Sequence, residues 1–118
     1  NVRITLNCVH DENQFLSAFV SRVVWPSAGA LCRYICDHGA RAFRGRSCVE
    51  LGSGTGLCGL TASAFCAPCV LTDGDDKSLE VLRQNVALNA GVNNALVTEW
   101  FFFDVRRYTN ESTGGFRT

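Results

Sequence analysis

The residues of this 118-residue chain whose types and spacing could do chemistry are two carboxylates and a run of glycines. In "CVELGSGTGLCGL", residues 48–60, Glu50 precedes Gly52, Gly54, Gly56 and Gly59, and Asp73 follows Gly52 by 21 positions. Glycines let a turn bring its backbone close to a ligand, and a helix that begins at the turn offers free N–H groups to an anionic portion. A carboxylate at that spacing can take the hydroxyls of a ribose. The chemistry on offer is the holding of a nucleoside-bearing ligand.

Two glycine patterns overlap here and point to different ligands. Read from Gly54 the loop is G-x-G-x-x-G, the dinucleotide fingerprint. Read from Gly52 it is G-x-G-x-G, the loop of an S-adenosylmethionine (AdoMet) methyltransferase. A dinucleotide needs its pyrophosphate at the helix N-terminus, where Glu50 would repel it. AdoMet carries no phosphate but an ammonium and a sulfonium, which a neighbouring carboxylate favours. Glu50 therefore selects the AdoMet reading, while Asp73 serves either ligand. The simpler readings are a tight turn for Gly52, Gly54 and Gly56, helix-to-sheet packing for Gly59, and ordinary core aromatics for Trp25 and Trp100.

The elements that must position these residues can be read on either side. "VRITLNCV" alternates apolar and polar residues, as a short strand does. After "VVWP", Ser27 can cap a helix running to about His38, with Ala28, Leu31, Cys32, Ile35 and Cys36 on one face and Gly39 ending it. "SCVEL" is a core strand entering the glycine loop, a helix runs from Leu57 to about Cys66, and "CVLTD" is the next strand. Asp75 or Asp76 caps a further helix whose Leu79, Leu82, Val86 and Ala90 face inward, with Gly91 as a left-handed stop. "ALVTEWFFFDV" is the last strand. Strand, helix, strand, helix, strand is a βαβαβ unit, which requires a parallel sheet. The expected fold is α/β and Rossmann-like.

Eleven basic residues balance eleven acidic ones and 47% of the chain is hydrophobic, which describes a globular protein with no electrostatic footprint for nucleic acid. No apolar run is long enough to span a membrane, and no secretory signal opens the sequence. Seven cysteines, an odd number, argue for reduced thiols and a cytoplasmic setting, with the nucleus also accessible. Cys32, Cys36, Cys66 and Cys69 could be imagined as a four-thiolate zinc site, but small buried residues are the simpler reading and no metal is expected. The chain starts at Asn1 and contains no Met, so we expect a piece of a longer protein. On that view residues 1–118 are one partial domain, with residues 1–22 an N-terminal extension and 23–118 a cofactor-binding half.

The assembled motifs resemble one family. "VVWPSAGALCRYI", "RGRSCVELGSGTGLCGLTAS", "VLTDGDDKSLEVLRQNVALN" and "VTEW" stand in the order and spacing of the lysine methyltransferase-like family of seven-strand, class I AdoMet-dependent methyltransferases, also called methyltransferase family 16. The resemblance implies the N-terminal part of that fold and a methyl transfer from AdoMet to a side-chain amine of a protein substrate, with lysine the implied acceptor. It further implies that Glu50, Gly52, Ser53 and Gly54 line the methionine end of AdoMet and that Asp73 holds the ribose hydroxyls. Trp100 would pack on the adenine and Trp25 would close the pocket. Two departures stand out: "FFFDV" follows Trp100 where the family has a glycine, and the family's next motif, which faces the methyl acceptor, lies past residue 118. No residue of the chain can thus be assigned as the catalyst.

Two other readings compete. One is an NAD(P)-dependent oxidoreductase using Gly54, Gly56 and Gly59. The other is a non-catalytic interaction module that keeps the methyltransferase fold.

Overall fold

The structure is a computed structural model that describes residues 2–8, 22–91 and 94–99. Six elements follow in order: α1 (Pro26–Ala42), β1 (Cys48–Glu50), α2 (Leu57–Ala62), β2 (Cys69–Asp73), α3 (Asp76–Leu88) and β3 (Ala95–Glu99). The three strands form one parallel sheet in the order β1-β2-β3, so the βαβαβ unit read from the sequence is what the chain builds.

The register explains the core. Side chains alternate between the faces of a sheet, so Cys48, Cys69 and Ala95 share one face with Glu50, Leu71 and Val97, while Val49, Val70 and Leu96 share the other. Helices α2 and α3 pack against the strands, and α1 packs on α2. Leu71, Leu60 of α2 and Leu82 of α3 are completely buried between these layers. Each such leucine contributes about 1.5–3 kcal/mol through removal of its apolar surface from water. On the opposite face Val49 and Leu96 remain 54% and 58% exposed.

Several local expectations change. Helix α1 starts at Pro26, not at a Ser27 cap: Trp25 is the N-cap residue, and its carbonyl accepts the Ala28 N–H at 2.9 Å. Proline suits the first helical position because its missing N–H would have no helical partner there. The helix also continues past Gly39 to Ala42. Gly39 is a contact point, since a Cβ there would lie 2.7 Å from Cδ2 of Phe65. Ile35 and Gly39 face inward, whereas Cys36 is exposed.

Helix α2 is shorter than expected and ends at Ala62, where Phe65 N–H bonds to the Ala62 carbonyl in a tighter turn. Helix α3 is capped as expected by Asp75, whose Oδ2 accepts from the Ser78 N–H and Oγ–H, each at 2.8 Å. These bonds hold the Asp75 carboxyl below its ordinary range. Asp75→Ala should destabilise the protein by about 1 kcal/mol, the usual cost of losing a cap. Chemical unfolding at neutral pH would show the difference, and it should shrink in acid as the aspartate of the parent is protonated.

The inward face of α3 also departs from the apolar pattern. Leu79 and Leu82 are buried, but Ala90 is exposed, and Asn85 and Asn89 occupy the inner face one turn apart. Helix α3 ends at Leu88 with Asn89 as its C-cap residue, and Gly91 does not adopt the left-handed conformation.

The two asparagines account for the N-terminal segment. Asn89 accepts the Thr5 N–H (2.9 Å) and donates to the Thr5 carbonyl (2.7 Å). Asn85 likewise accepts the Asn7 N–H (2.6 Å) and donates to the Asn7 carbonyl (3.0 Å). Residues 2–8 join no strand among the described residues. The backbone groups of Thr5 and Asn7, alternate residues, are bonded by side-chain amides of α3 and its C-cap where a sheet would offer a neighbouring strand.

Candidate cofactor site

Strand β1 ends in the glycine loop, and the loop is fastened to β2. Ser53 N–H donates to the Thr72 carbonyl at 2.8 Å, and Thr72 N–H donates to Ser53 Oγ at 3.1 Å. Thr72 Oγ1–H donates to the Glu50 carbonyl at 2.8 Å. The Ser53 hydroxyl is thereby turned toward β2. Gly52, Gly54 and Gly56 all have positive φ, of 66°, 53° and 85°. Gly56 is the most constrained, because it is the left-handed N-cap residue of α2 and a Cβ on it would strike Cδ1 of the buried Leu82.

Gly56 has no side chain to cap α2, and Glu50 takes over that work from β1. Its Oε2 accepts the N–H of Gly59, the third residue of the helix, at 3.0 Å. A carboxylate at a helix N-terminus satisfies an otherwise unpaired donor and meets the positive end of the helix dipole. The approach is close enough that a Cβ on Gly59 would run into Glu50 Oε2 and lie 2.7 Å from Cγ of Leu71. Gly59 is thus a packing glycine. Its N–H is already occupied by a carboxylate, which removes the third glycine of the dinucleotide pattern from phosphate binding.

Asp73 closes the loop from β2. Its Oδ2 accepts the Gly54 N–H at 2.9 Å, and its Oδ1 accepts those of Gly74 (2.8 Å) and Asp75 (3.0 Å). An ionised carboxylate has about four acceptor positions, so three backbone donors leave room for one hydroxyl hydrogen bond of full strength.

These residues surround one cleft of about 600 Å³. Trp25, Glu50, Gly52, Ser53, Gly54 and Asp73 all line it. Trp25 is 41% exposed and stands at the start of α1. Trp100 lies outside the described residues. The sequence reading missed Leu31, Thr55, Leu57 and Cys58, which also line the cleft. The signal for Thr55 was its place between Gly54 and Gly56 in the loop that lines the cleft. Leu31 was assigned to the core face of α1 because helical periodicity alone does not separate a core contact from a pocket wall. Thr55 is tied down from behind, since Asn85 Nδ2–H donates to its carbonyl at 2.8 Å.

The cleft is acidic. Burial raises the Glu50 carboxyl above its ordinary value of 4.5, and the charge of Asp73 pushes the same way, against hydrogen bonds from Ser53 and Gly59 that lower it. The folded protein therefore binds this proton more tightly than the unfolded chain. The resulting stability is fully present at and below the unfolded pKa and is lost as pH rises through the folded one. Glu50→Gln keeps an acceptor for Gly59 without the charge. In ligand-free protein its melting temperature, relative to the parent, should rise between acid and neutral pH; an unchanged offset would show that Glu50 ionises without penalty.

Cys58 sits in the cleft wall with its Sγ 3.9 Å from that of Cys32. Burial first, then Cys32 and Glu50, push its thiol up to about 12. A thiol so raised is no nucleophile at neutral pH. No helix among the described residues is long and apolar enough to cross a membrane.

Comparison with known proteins bears on the same residues. The profile described as lysine methyltransferase matches residues 8–109. The chain is 44% identical over 70 residues to the mouse protein N-lysine methyltransferase METTL21A, covering 59% of this chain and 31% of that protein. It is 35% identical over 68 residues to the calmodulin-lysine N-methyltransferase of Arabidopsis thaliana (56% and 22%). It is 39% identical over 69 residues to the human protein-lysine N-methyltransferase EEF2KMT (57% and 21%). The aligned region spans less than a third of the length of each of these relatives. The match covers most of the chain, the glycine loop and both carboxylates included, and the chain belongs to the lysine methyltransferase family.

Proposed function

We propose that the protein carrying this chain is an AdoMet-dependent protein-lysine N-methyltransferase, and that the chain supplies the donor half of its domain. One observation carries the reading: Glu50 and Asp73 share a cleft and are each held by a backbone N–H group, and burial, with the nearby charge of Asp73 adding to it, makes the Glu50 carboxyl costly to ionise. A cationic ligand relieves that cost, whereas a pyrophosphate increases it. The cradle has room as well, since a Cβ on Gly52 would meet nothing within 4 Å.

AdoMet, when bound, supplies a methyl group on a positively charged sulfur. The chain's own residues bind and orient. Glu50 and the loop of Gly52, Ser53 and Gly54 would hold the methionine end, with Ser53 contributing backbone because its hydroxyl is engaged by Thr72. Asp73 would accept a ribose hydroxyl at its remaining position. Trp25 would cover the ligand and help to exclude water, which an in-line transfer to a neutral amine requires. The acceptor lysine must first lose its proton, and no described residue is assigned to take it. The exposed sheet face at Val49 and Leu96 supports a further layer belonging to the same domain. Seven free thiols support a reducing compartment, the cytoplasm with access to the nucleus.

Transfer of labelled methyl from AdoMet by the full-length protein into lysines of a lysate lacking it tests the activity, and absence of label would overturn it. Calorimetry tests the cofactor alone. AdoMet should bind and NADH should not; binding of NADH in place of AdoMet would restore the dinucleotide reading.

A further inference from the structure

The C-x-x-C at residues 66–69 plays no part in the cleft. The structure also breaks up the set Cys32, Cys36, Cys66 and Cys69 imagined from spacing, because Cys36 is exposed and Cys32 adjoins Cys58. A different group forms. The Sγ atoms of Cys48, Cys66 and Cys69 lie within 4.8 Å of one another. Cys48 opens β1 and Cys69 opens β2 as its direct partner in the parallel register. Cys66 follows the turn after α2. Cys69 is completely buried and Cys66 is 4% exposed, with Cys48 half-buried at the rim. The two inner thiols point under α2, where Cys66 donates to the Ala62 carbonyl and Cys69 to that of Gly59.

We propose that Cys48, Cys66 and Cys69 form a binding site for a soft closed-shell metal ion, monovalent copper, held by three sulfurs. Three sulfurs at about 2.3 Å from a central ion in a trigonal plane stand roughly 4 Å apart, a separation this trio reaches with small side-chain adjustment. The donor set selects the ion. Thiolate ligands favour copper(I), zinc or iron–sulfur chemistry over ions that prefer oxygen. Structural zinc takes four protein ligands, and among the described residues no fourth Cys, His, Asp or Glu joins the group. Each ligating sulfur exchanges its S–H bond for an S–Cu bond, the proton passes to solvent, and copper remains monovalent, so no oxidant or reductant is involved. The site lies on the buried face of β1 and β2, away from the cofactor cleft, and does not depend on the methyltransferase reading.

The test is an anaerobic competition in which the full-length protein withdraws copper(I) from its coloured bicinchoninate complex. The parent should take a single equivalent and develop sulfur-to-copper charge-transfer absorption in the ultraviolet. Cys48→Ser and Cys66→Ser should weaken binding by at least the roughly 10- to 100-fold that loss of an outer-shell partner causes, and Cys36→Ser should leave it unchanged. Thermal melts check that each variant is folded, and Cys48→Ala replaces any serine variant that is not. No withdrawal by the parent would overturn the proposal. So would undiminished binding in folded Cys48 and Cys66 variants, loss in Cys32→Ser instead, or preferential uptake of zinc.

Discussion

Gly59→Ala should lower the stability of the folded protein by about 2–4 kcal/mol, combining overpacking with loss of a buried charged hydrogen bond. The new methyl would collide with Glu50 Oε2 and stand 2.7 Å from Leu71 Cγ. Leu71 is completely buried in the central strand and cannot withdraw. Helix α2 must then lift from β1 and β2, which breaks the bond from the Gly59 N–H to Glu50. Denaturant unfolding of parent and variant measures the loss. An alanine variant as stable as the parent would mean that the helix does not lie this close to the sheet. A favourable coupling between Gly59→Ala and Leu71→Ala in a double-mutant cycle would identify Leu71 as an obstacle, because the second change removes the Cγ and Cδ2 that crowd the new methyl.

Asp73→Ala should weaken AdoMet binding by about 100-fold, near 2.7 kcal/mol. The carboxylate does two things at once. It accepts from Gly54, Gly74 and Asp75, and on the proposed function it also meets the ligand. Alanine leaves three backbone donors without their acceptor and frees the loop at Gly54. Asp73→Asn retains an acceptor oxygen on one side and should fall between the two. Calorimetry with AdoMet measures the affinity, and circular dichroism confirms that the sheet persists. Equal affinity in parent and alanine variant would remove Asp73 from the cofactor site and leave it a purely structural residue of the β2 terminus.

The three strands of the sheet and the order of the elements were legible because the sequence signals them locally, whereas the strand read in "VRITLNCV" does not form over residues 2–8. "CVLTD" is β2 residue for residue, and Asp75 announces α3 by the usual capping chemistry. Both carboxylates of the cleft were also legible, from charge beside glycine. What escaped was the part that depends on partners distant in sequence. Gly39 looks like a helix terminator, since glycine is a poor helix former, but Phe65 needs the space. Ala90 fits an apolar stripe better than Asn85 or Asn89, and the preference reverses because the N-terminal segment and the Thr55 carbonyl bring backbone groups to be bonded. Glu50 was read as a ligand contact, and its second task of capping α2 is invisible without the helix in place. The regrouping of the cysteines has the same origin, because the pairing of β1 with β2 juxtaposes Cys48 and Cys69, whereas spacing along the chain favours Cys32 with Cys36.

The asparagine pair has a consequence for the order of events during synthesis. Asn7 and its partner Asn85 are 78 residues apart. At about 5–20 residues per second on the ribosome, the segment around Asn7 waits roughly 4–16 s before its partner has been made. Throughout that interval the side chain that bonds it in the folded protein does not yet exist. When Asn85 arrives, the same side chain that receives the segment also grips the Thr55 carbonyl. The earliest-made part of this chain is therefore fastened among the last, by the residue that steadies the wall of the cleft.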